Sequence, residues 1–344
     1  MKGTVHYETR GEIALLSIDN PPVNPLSSGV RQGLFDGMTK ALADEAVKAV
    51  VITGLNRAFI AGADISEFGA AASEGVGLGE ALEIMENSTK PVIAAINGTA
   101  FGGGLETALC CDYRIAAPTA PVGLPEVKLG LLPGAGGTQR LPRLIGAQAA
   151  LKAIVSGDPI MAPQAQKLGI VDRIAEGDIV EEGIKYAEEI VAAGSATRKI
   201  RDLTDKIAGD KGNTAVFENA AAQLNKTNRG QFAPAQILKC VEAAVNADSF
   251  DAGMAVEREC FAACMQDPQR EALIHIFFAE RAANKIPGLS KDDPLIDINK
   301  GSVIGSGTMG GGIAMCFANA GIPVRLHDNN AENLAKGLKV IEGN

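Results

Sequence analysis

Apolar and polar residues alternate through VHYETR at positions 5–10 and, after a Gly-Glu turn, through IALLSID at 13–19. A period of two marks a half-buried strand, so the pair predicts a β-hairpin, closed by the loop NPPVNPLSS. Over 28–45 the period lengthens, and Val30, Leu34, Met38, Ala41 and Leu42 fall on one helical stripe. A short β-branched run, AVVITG, reads as a buried strand ending at a glycine. The rhythm then repeats: a loop, FIAGAD, a helical stretch, GEALEIMENS, and a buried-type strand, PVIAAING. GGGLETALCCDYRIAA follows as a glycine-rich turn, a short helix and another strand. Strands and helices alternate through about residue 120, the pattern of an α/β core.

From about residue 144 the pattern becomes helical, through AQAALKAIVSG and VEEGIKYAEEIVAA. The charged, glycine-containing stretch RKIRDLTDKIAGDKGNT predicts a boundary or mobile segment near 195–214. Helices resume over 234–285, broken at Asp267-Pro268, because the residue before a proline is biased away from helix. PGLSKDDPLIDINK reads as a linker. KGSVIG then predicts a strand, GSGTMGGG a glycine turn, IAMCFANA a helix and PVRLHD a second strand. The expected organisation is a core at 1–195, a helical region at 196–286 completing that domain, a linker at 287–299 and a nucleotide-binding start at 300–344.

Composition narrows the chemistry. Apolar residues make up 46% and charged residues 21% of the chain, as in ordinary globular proteins. A formal charge of −9 argues against general binding to nucleic acid or anionic membrane. No apolar run reaches the roughly 18 residues a membrane span needs. MKGTVHYETRGE has neither a signal region nor an Arg-rich presequence, so a cytoplasmic protein is expected. The six cysteines form no CxxC pair and the three histidines are scattered, so no metal is expected and buried reduced thiols are. Proton transfer then falls to carboxylates, Lys, Tyr or held water.

Three stretches are candidates. In FIAGADI, residues 59–65, small residues at Ala61, Gly62 and Ala63 let a ligand approach backbone N–H groups, although a tight turn accounts for them equally well. In FGGGLETAL, residues 101–109, glycines open a helix and gather unpaired N–H donors suited to a developing oxyanion. Glu106 follows in the first turn; it either complements the helix dipole or carries chemistry, and its apolar neighbours Leu105, Ala108 and Leu109 speak against a wholly solvated face. In GLPEVKLGLLPGAGGTQRLPRLIG, residues 123–146, Glu126 lies in an apolar strand-and-loop context. Burial there would raise its pKa into the working range of an acid or base. A salt bridge to Lys128 or an arginine is the alternative.

Together and in this order, AGAD, GGGxE and PExxLGxxPGxGGTQRL resemble the crotonase superfamily and, within it, the enoyl-CoA hydratases, over residues 5–190 and more weakly over 231–286. The resemblance implies a spiral of ββα units followed by helices that usually build oligomers. It implies an acyl-CoA thioester substrate, bound in part by Ala61, Gly62, Ala63 and Asp64, and needs no cofactor for hydration. It further implies that the N–H groups of Ala61 and Gly103 hold the thioester oxygen. Glu106 and Glu126 would position a water, adding hydroxyl at Cβ and a proton at Cα. Retention of both acids favours hydration, with 3-enoyl to 2-enoyl isomerisation by the same carboxylates as an extension. A crotonase-like scaffold that only binds acyl-CoA is the competing reading.

VIGSGTMGGG, residues 303–312, sets Gly305, Gly307 and Gly310 in GxGxxG spacing between a strand and a helix, with Asp328 about twenty residues on. An acid there favours NAD over NADP. This segment resembles the start of a 3-hydroxyacyl-CoA dehydrogenase domain, with Met309 matching a backbone contact to the cofactor. Hydratase followed by dehydrogenase is the layout of the multifunctional β-oxidation proteins. Only two of the roughly six strands of such a domain can be found. The sequence therefore reads as a fragment of a longer, NAD-using protein, for which a homo-oligomer or a thiolase partner is the implied association. This chain alone is expected not to oxidise 3-hydroxyacyl-CoA.

Overall fold

The computed structural model describes residues 2–64, 75–194, 197–283, 285–290, 293–294 and 296–344. The chain divides into two compact units, Met1–Glu280 and Arg281–Asn344.

The first unit opens with the hairpin, β1 (Thr4–Arg10) pairing antiparallel with β2 (Ile13–Asp19). Helix α1 (Ser28–Ala43) buries Val30, Leu34, Met38 and Ala41, four members of the stripe read from the sequence. Strand–strand–helix turns follow. β3 (Ala49–Gly54) and β4 (Ala58–Ile60) lead to α2 (Leu78–Glu86), and β5 (Val92–Ile96) and β6 (Thr99–Phe101) to α3 (Gly103–Cys110). β7 (Tyr113–Ala116) and β8 (Pro121–Gly123) lead to a single 3-10 turn, Glu126–Leu129. Helices α4 (Gly137–Ile145) and α5 (Ala147–Ser156) come next, then β9 (Ile160–Met161), α6 (Ala162–Leu168), β10 (Arg173–Ile174) and α7 (Ile179–Ala192).

In β3/β4, β5/β6 and β7/β8 the first strand joins a six-stranded sheet, β1-β2-β3-β5-β7-β10, and the second a four-stranded sheet, β4-β6-β8-β9. Beyond the hairpin the larger sheet is parallel throughout. Its inner strands β3 and β5 are buried on both faces, and their residues alternate between the two. Val50 and Ile52 enter the main core with Ala94 and Ile96, while Ala49 and Val51 join Ile93, Ala95 and Ile184 of α7 in a second cluster. This is why AVVITG and PVIAAI read as continuous apolar runs.

The helical part consists of α8 (Asp205–Ala208), α9 (Thr214–Thr227), α10 (Ala233–Asn246), α11 (Phe250–Gln266) and α12 (Pro268–Ala283). α10 packs on α4, α5 and α11, with Ile237, Cys240 and Val241 fully buried. The charged stretch near 195–214, of which 195 and 196 lie outside the described residues, is pinned to this core. Arg198 and Lys199 pair with Asp172 and Asp112, and Ile200 and Ile207 are buried. Residues 291, 292 and 295 of the expected linker also lie outside the described residues.

In the second unit, β11 (Gly301–Ile304) and β12 (Val324–His327) pair in parallel across α13 (Thr308–Asn319), and α14 (Ala331–Gly343) follows. Cys316 on α13 is exposed, contrary to the expectation for the thiols, whereas the other five are buried.

Candidate active site

The glycine run of residues 102–104 ends β6 and starts α3. Gly102 stands at the helix cap with φ 54°, and a Cβ there would lie 3.0 Å from Glu126 Oε1, so the Glu126 carboxyl group rests against the start of α3. Gly103, the first residue of the helix, has an amide beyond the reach of the intrahelical ladder. One turn on, Glu106 is 3% exposed. Its Oε1 accepts from the N–H groups of Ala135 at 2.7 Å and Gly137 at 2.8 Å. Glu106 therefore faces the loop before α4, and the dipole-complement alternative on a solvated face does not hold.

Glu126 is held differently. It lies on a 3-10 turn, not in a strand or loop as expected, since Lys128 and Gly130 N–H groups close back on the carbonyls of Pro125 and Val127. Part of the residue reaches the surface, but its Oε2 is enclosed and has no hydrogen-bond partner among the described residues. The salt-bridge alternative is not met among the described residues: Lys128 Nζ binds Asp158 Oδ1 at 3.0 Å, and no arginine partners the enclosed Glu126 Oε2. Burial pushes both carboxyl groups upward. For Glu106 the two amide donors and the Arg140 charge pull back, whereas the Glu106 charge drives Glu126 further, well above the usual carboxylate range.

The expected amide donor at Ala61 is a correction. Its N–H donates to the Val23 carbonyl at 3.1 Å, an engagement that ties the segment after β4 to the loop before α1. The Ala63 nitrogen, by contrast, lies 3.8 Å from the Cβ position of Gly103. A bridge between Leu26 and Ala63 and the bond from Leu26 N–H to Gly62 O hold this strip in extended form. Asp64 is half-buried beside it, and Ile65 lies outside the described residues. Ala63 and the Glu126 carboxyl group thus both lie against the start of α3, the helix whose first turn carries Glu106, while the Ala61 N–H is taken by Val23.

One acid escaped the sequence reading. Glu257 on α11 is fully buried; its Oε1 accepts from Gly136 N–H at 2.7 Å and its Oε2 from Thr138 N–H at 3.2 Å and from the Thr138 hydroxyl. Burial and the Glu106 charge push its pKa up to about 8. The signal was present: Glu257 shares the buried face of α11 with Gly253, Cys260 and Cys264, a helical stripe on which an acid is out of place.

In the second unit the glycine fingerprint fits a dinucleotide. Gly305, at φ 98°, turns the chain out of β11, and nothing within 4 Å crowds Gly305 or Gly307. A Cβ at Gly310 would collide with the Gly305 carbonyl at 1.8 Å, so helix and turn pack as this motif requires. Met309, on the first turn of α13, is exposed. Asp328, just past β12, accepts from Ser306 N–H and Oγ through one oxygen.

Residues 8–233 match the family model described as enoyl-CoA hydratase/isomerase. The chain belongs to that family. Residues 300–344 match the NAD-binding domain of 3-hydroxyacyl-CoA dehydrogenase. The "peroxisomal bifunctional enzyme" of Cavia porcellus is 42% identical over 335 residues, covering 96% of this chain and 46% of that protein. A "peroxisomal fatty acid beta-oxidation multifunctional protein" of Arabidopsis thaliana is 36% identical, covering 96% and 47%. The chain thus spans about half the length of these curated relatives. Both names place those relatives in peroxisomes, a compartment that the cytoplasmic expectation does not include. Among solved structures, carnitinyl-CoA hydratase from Mycobacterium avium is 28% identical with a TM-score of 0.60, over 82% of this chain and 97% of that one. As a member of the family, this chain has a mixed α/β fold with crotonase-type neighbours. Among the described residues, no helix is long and apolar enough to cross a membrane.

Proposed function

We propose that the first unit adds water to the double bond of a 2-enoyl-CoA thioester, giving the 3-hydroxyacyl-CoA. The observation that carries this reading is the Glu126 carboxyl group, enclosed, unpartnered at Oε2 and set against the same helix start as Glu106. Glu106, stabilised as a carboxylate by two amide donors, takes a proton from water as the water oxygen bonds to Cβ. The π electrons shift toward the thioester oxygen, whose negative charge is met by the amides of Ala63 and Gly103. Glu126, whose pKa burial and the Glu106 charge push well above the usual carboxylate range, gives its proton to Cα. The proton gained by Glu106 balances the one lost by Glu126, and exchange with solvent restores both.

The same position beside Cα supports isomerisation of 3-enoyl-CoA: Glu126, entering that reaction as the carboxylate, would take a proton from Cα and deliver it to Cγ as the double bond moves to Cα–Cβ. For the whole protein, the fit of Gly305, Gly307, Gly310, Met309 and Asp328 to NAD supports a 3-hydroxyacyl-CoA dehydrogenase. NAD, when bound, supplies the hydride acceptor; this chain's residues would hold its pyrophosphate at the start of α13 and its ribose near Asp328. A homo-oligomer or a thiolase partner belongs to that same whole-protein proposal. The deciding experiment follows the absorbance of crotonyl-CoA with this chain alone, with and without NAD. A loss of enoyl absorbance without NADH is expected; binding with no loss would leave the scaffold reading in its place.

A further inference from the structure

The loop between the 3-10 turn and α4 sends its amides alternately to two buried acids. Ala135 and Gly137 donate to Glu106, while Gly136 and Thr138, the residues between and after, donate to Glu257. Each acid thus occupies one side of the same short strip of backbone. On the Glu257 side the Thr138 hydroxyl adds a third donor, and Gln139 Nε2 in turn binds that hydroxyl at 3.0 Å and the Cys240 carbonyl at 2.9 Å. Arg140 closes the loop from below, donating to the Ala135 carbonyl at 2.9 Å while paired with Glu86. A further close packing fixes α11 against the strip: a Cβ at Gly134 would lie 2.6 Å from the Phe261 ring.

We propose that Glu257 is a positioning residue for hydration, holding the 135–138 strip so that its other amides aim at Glu106. An acid placed among Gly253, Cys260 and Cys264 costs stability unless its oxygens are satisfied, and here the partners are the amides that share a strip with the Glu106 donors. The helical part of the unit thereby reaches the reacting carboxylate without touching substrate. This inference rests on the hydratase reading for its kinetic consequence, though not for its structural one.

The test uses the full chain and Glu257→Gln. A glutamine accepts through one oxygen only, so either Gly136 or Thr138 loses its acceptor whichever way the amide turns. Misplacement of a reacting group by a fraction of an ångström predicts a fall in kcat for crotonyl-CoA of roughly 10- to 100-fold, with KM within about 2-fold. Amide hydrogen exchange across Gly136–Thr138 should speed up by about 10-fold. Thr138→Val, which leaves Glu257 in place, should move kcat and exchange in the same direction by less. A purely structural role would lower the melting temperature and the fraction of active protein while each folded molecule turned over at the wild-type rate, and that result overturns the proposal. Unchanged exchange in Glu257→Gln also overturns it. If wild type fails to hydrate any enoyl-CoA, the hydratase reading falls; exchange then decides the clamp by itself, faster exchange supporting it and unchanged exchange refuting it.

Discussion

Glu106 and Glu126 both adjoin the start of α3 but receive different hydrogen-bond partners, and that asymmetry pushes Glu126 further above the usual carboxylate range than Glu106. Two N–H donors favour the charged form of Glu106, whereas Glu126 has an enclosed oxygen with no donor and a neighbouring negative charge. Glu106→Gln and Glu126→Gln should each lower kcat by roughly 10²- to 10⁴-fold, the usual worth of a general acid or base. KM should change little, because both groups act mainly in the transition state; steady-state kinetics on crotonyl-CoA would check this, and a near-wild-type kcat in either variant removes that residue from the mechanism. Both acids were legible in the sequence, because acids set in apolar context beside glycine turns are chemically conspicuous. The identity of the amide donor was not. AGAD offers several N–H groups of equal sequence standing, and only the Val23 carbonyl, nearly forty positions upstream, takes Ala61 out of consideration.

At the scale of elements, the strip before α4 is where composition and geometry meet. Gly137 approaches Glu106 so closely that an added Cβ would lie 2.9 Å from Oε1 and 2.7 Å from the Pro133 side chain. Gly137→Ala should therefore displace the carboxylate and cut kcat by about 10-fold or more while the fold is retained, measured by turnover alongside circular dichroism. The helix that follows is anchored by a buried bidentate pair, Arg140 Nε and Nη2 to the two oxygens of Glu86, each at 2.8 Å. Among the described residues, Arg140→Met leaves Glu86 with the longer 3.6 Å contact to Arg201, and breaking such a pair costs about 3–5 kcal/mol. Denaturant unfolding should register that loss; a change below about 1 kcal/mol would mean the pair is not what anchors α4. The elements themselves were largely readable: hairpin, α1, the buried strands and the break at Asp267-Pro268 all follow local periodicity. The 3-10 turn under Glu126 was not, since its hydrogen bonds form over too few residues to leave a period.

For the whole molecule, three acids with raised pKa values make stability depend on pH with a definite sign. Glu106, Glu126 and Glu257 bind protons more tightly folded than unfolded, so the folded state holds more protons and stability falls as pH rises. The Glu257 contribution is fully present below its ordinary value of 4.5 and is lost as pH rises through about 8. Thermal unfolding from pH 5 to 8.5 should show a declining midpoint, and Glu257→Gln should flatten the decline; an unchanged slope would mean Glu257 keeps an ordinary pKa. The sequence by itself determined the hairpin, α1, the buried strands β3 and β5, the later helices and the two glycine turns, because period and helix breakers are local properties; the short strands of the second sheet, such as β4 inside the stretch read as a loop, leave no such period. Tertiary structure alone decided that the Ala61 N–H is taken by Val23 while Ala63 lies beside Gly103, and that Glu257 accepts from Gly136 and Thr138, over a hundred positions away. Both are matters of which distant backbone group claims a given hydrogen bond, and that choice is made only when the sheets, α4 and α11 pack together.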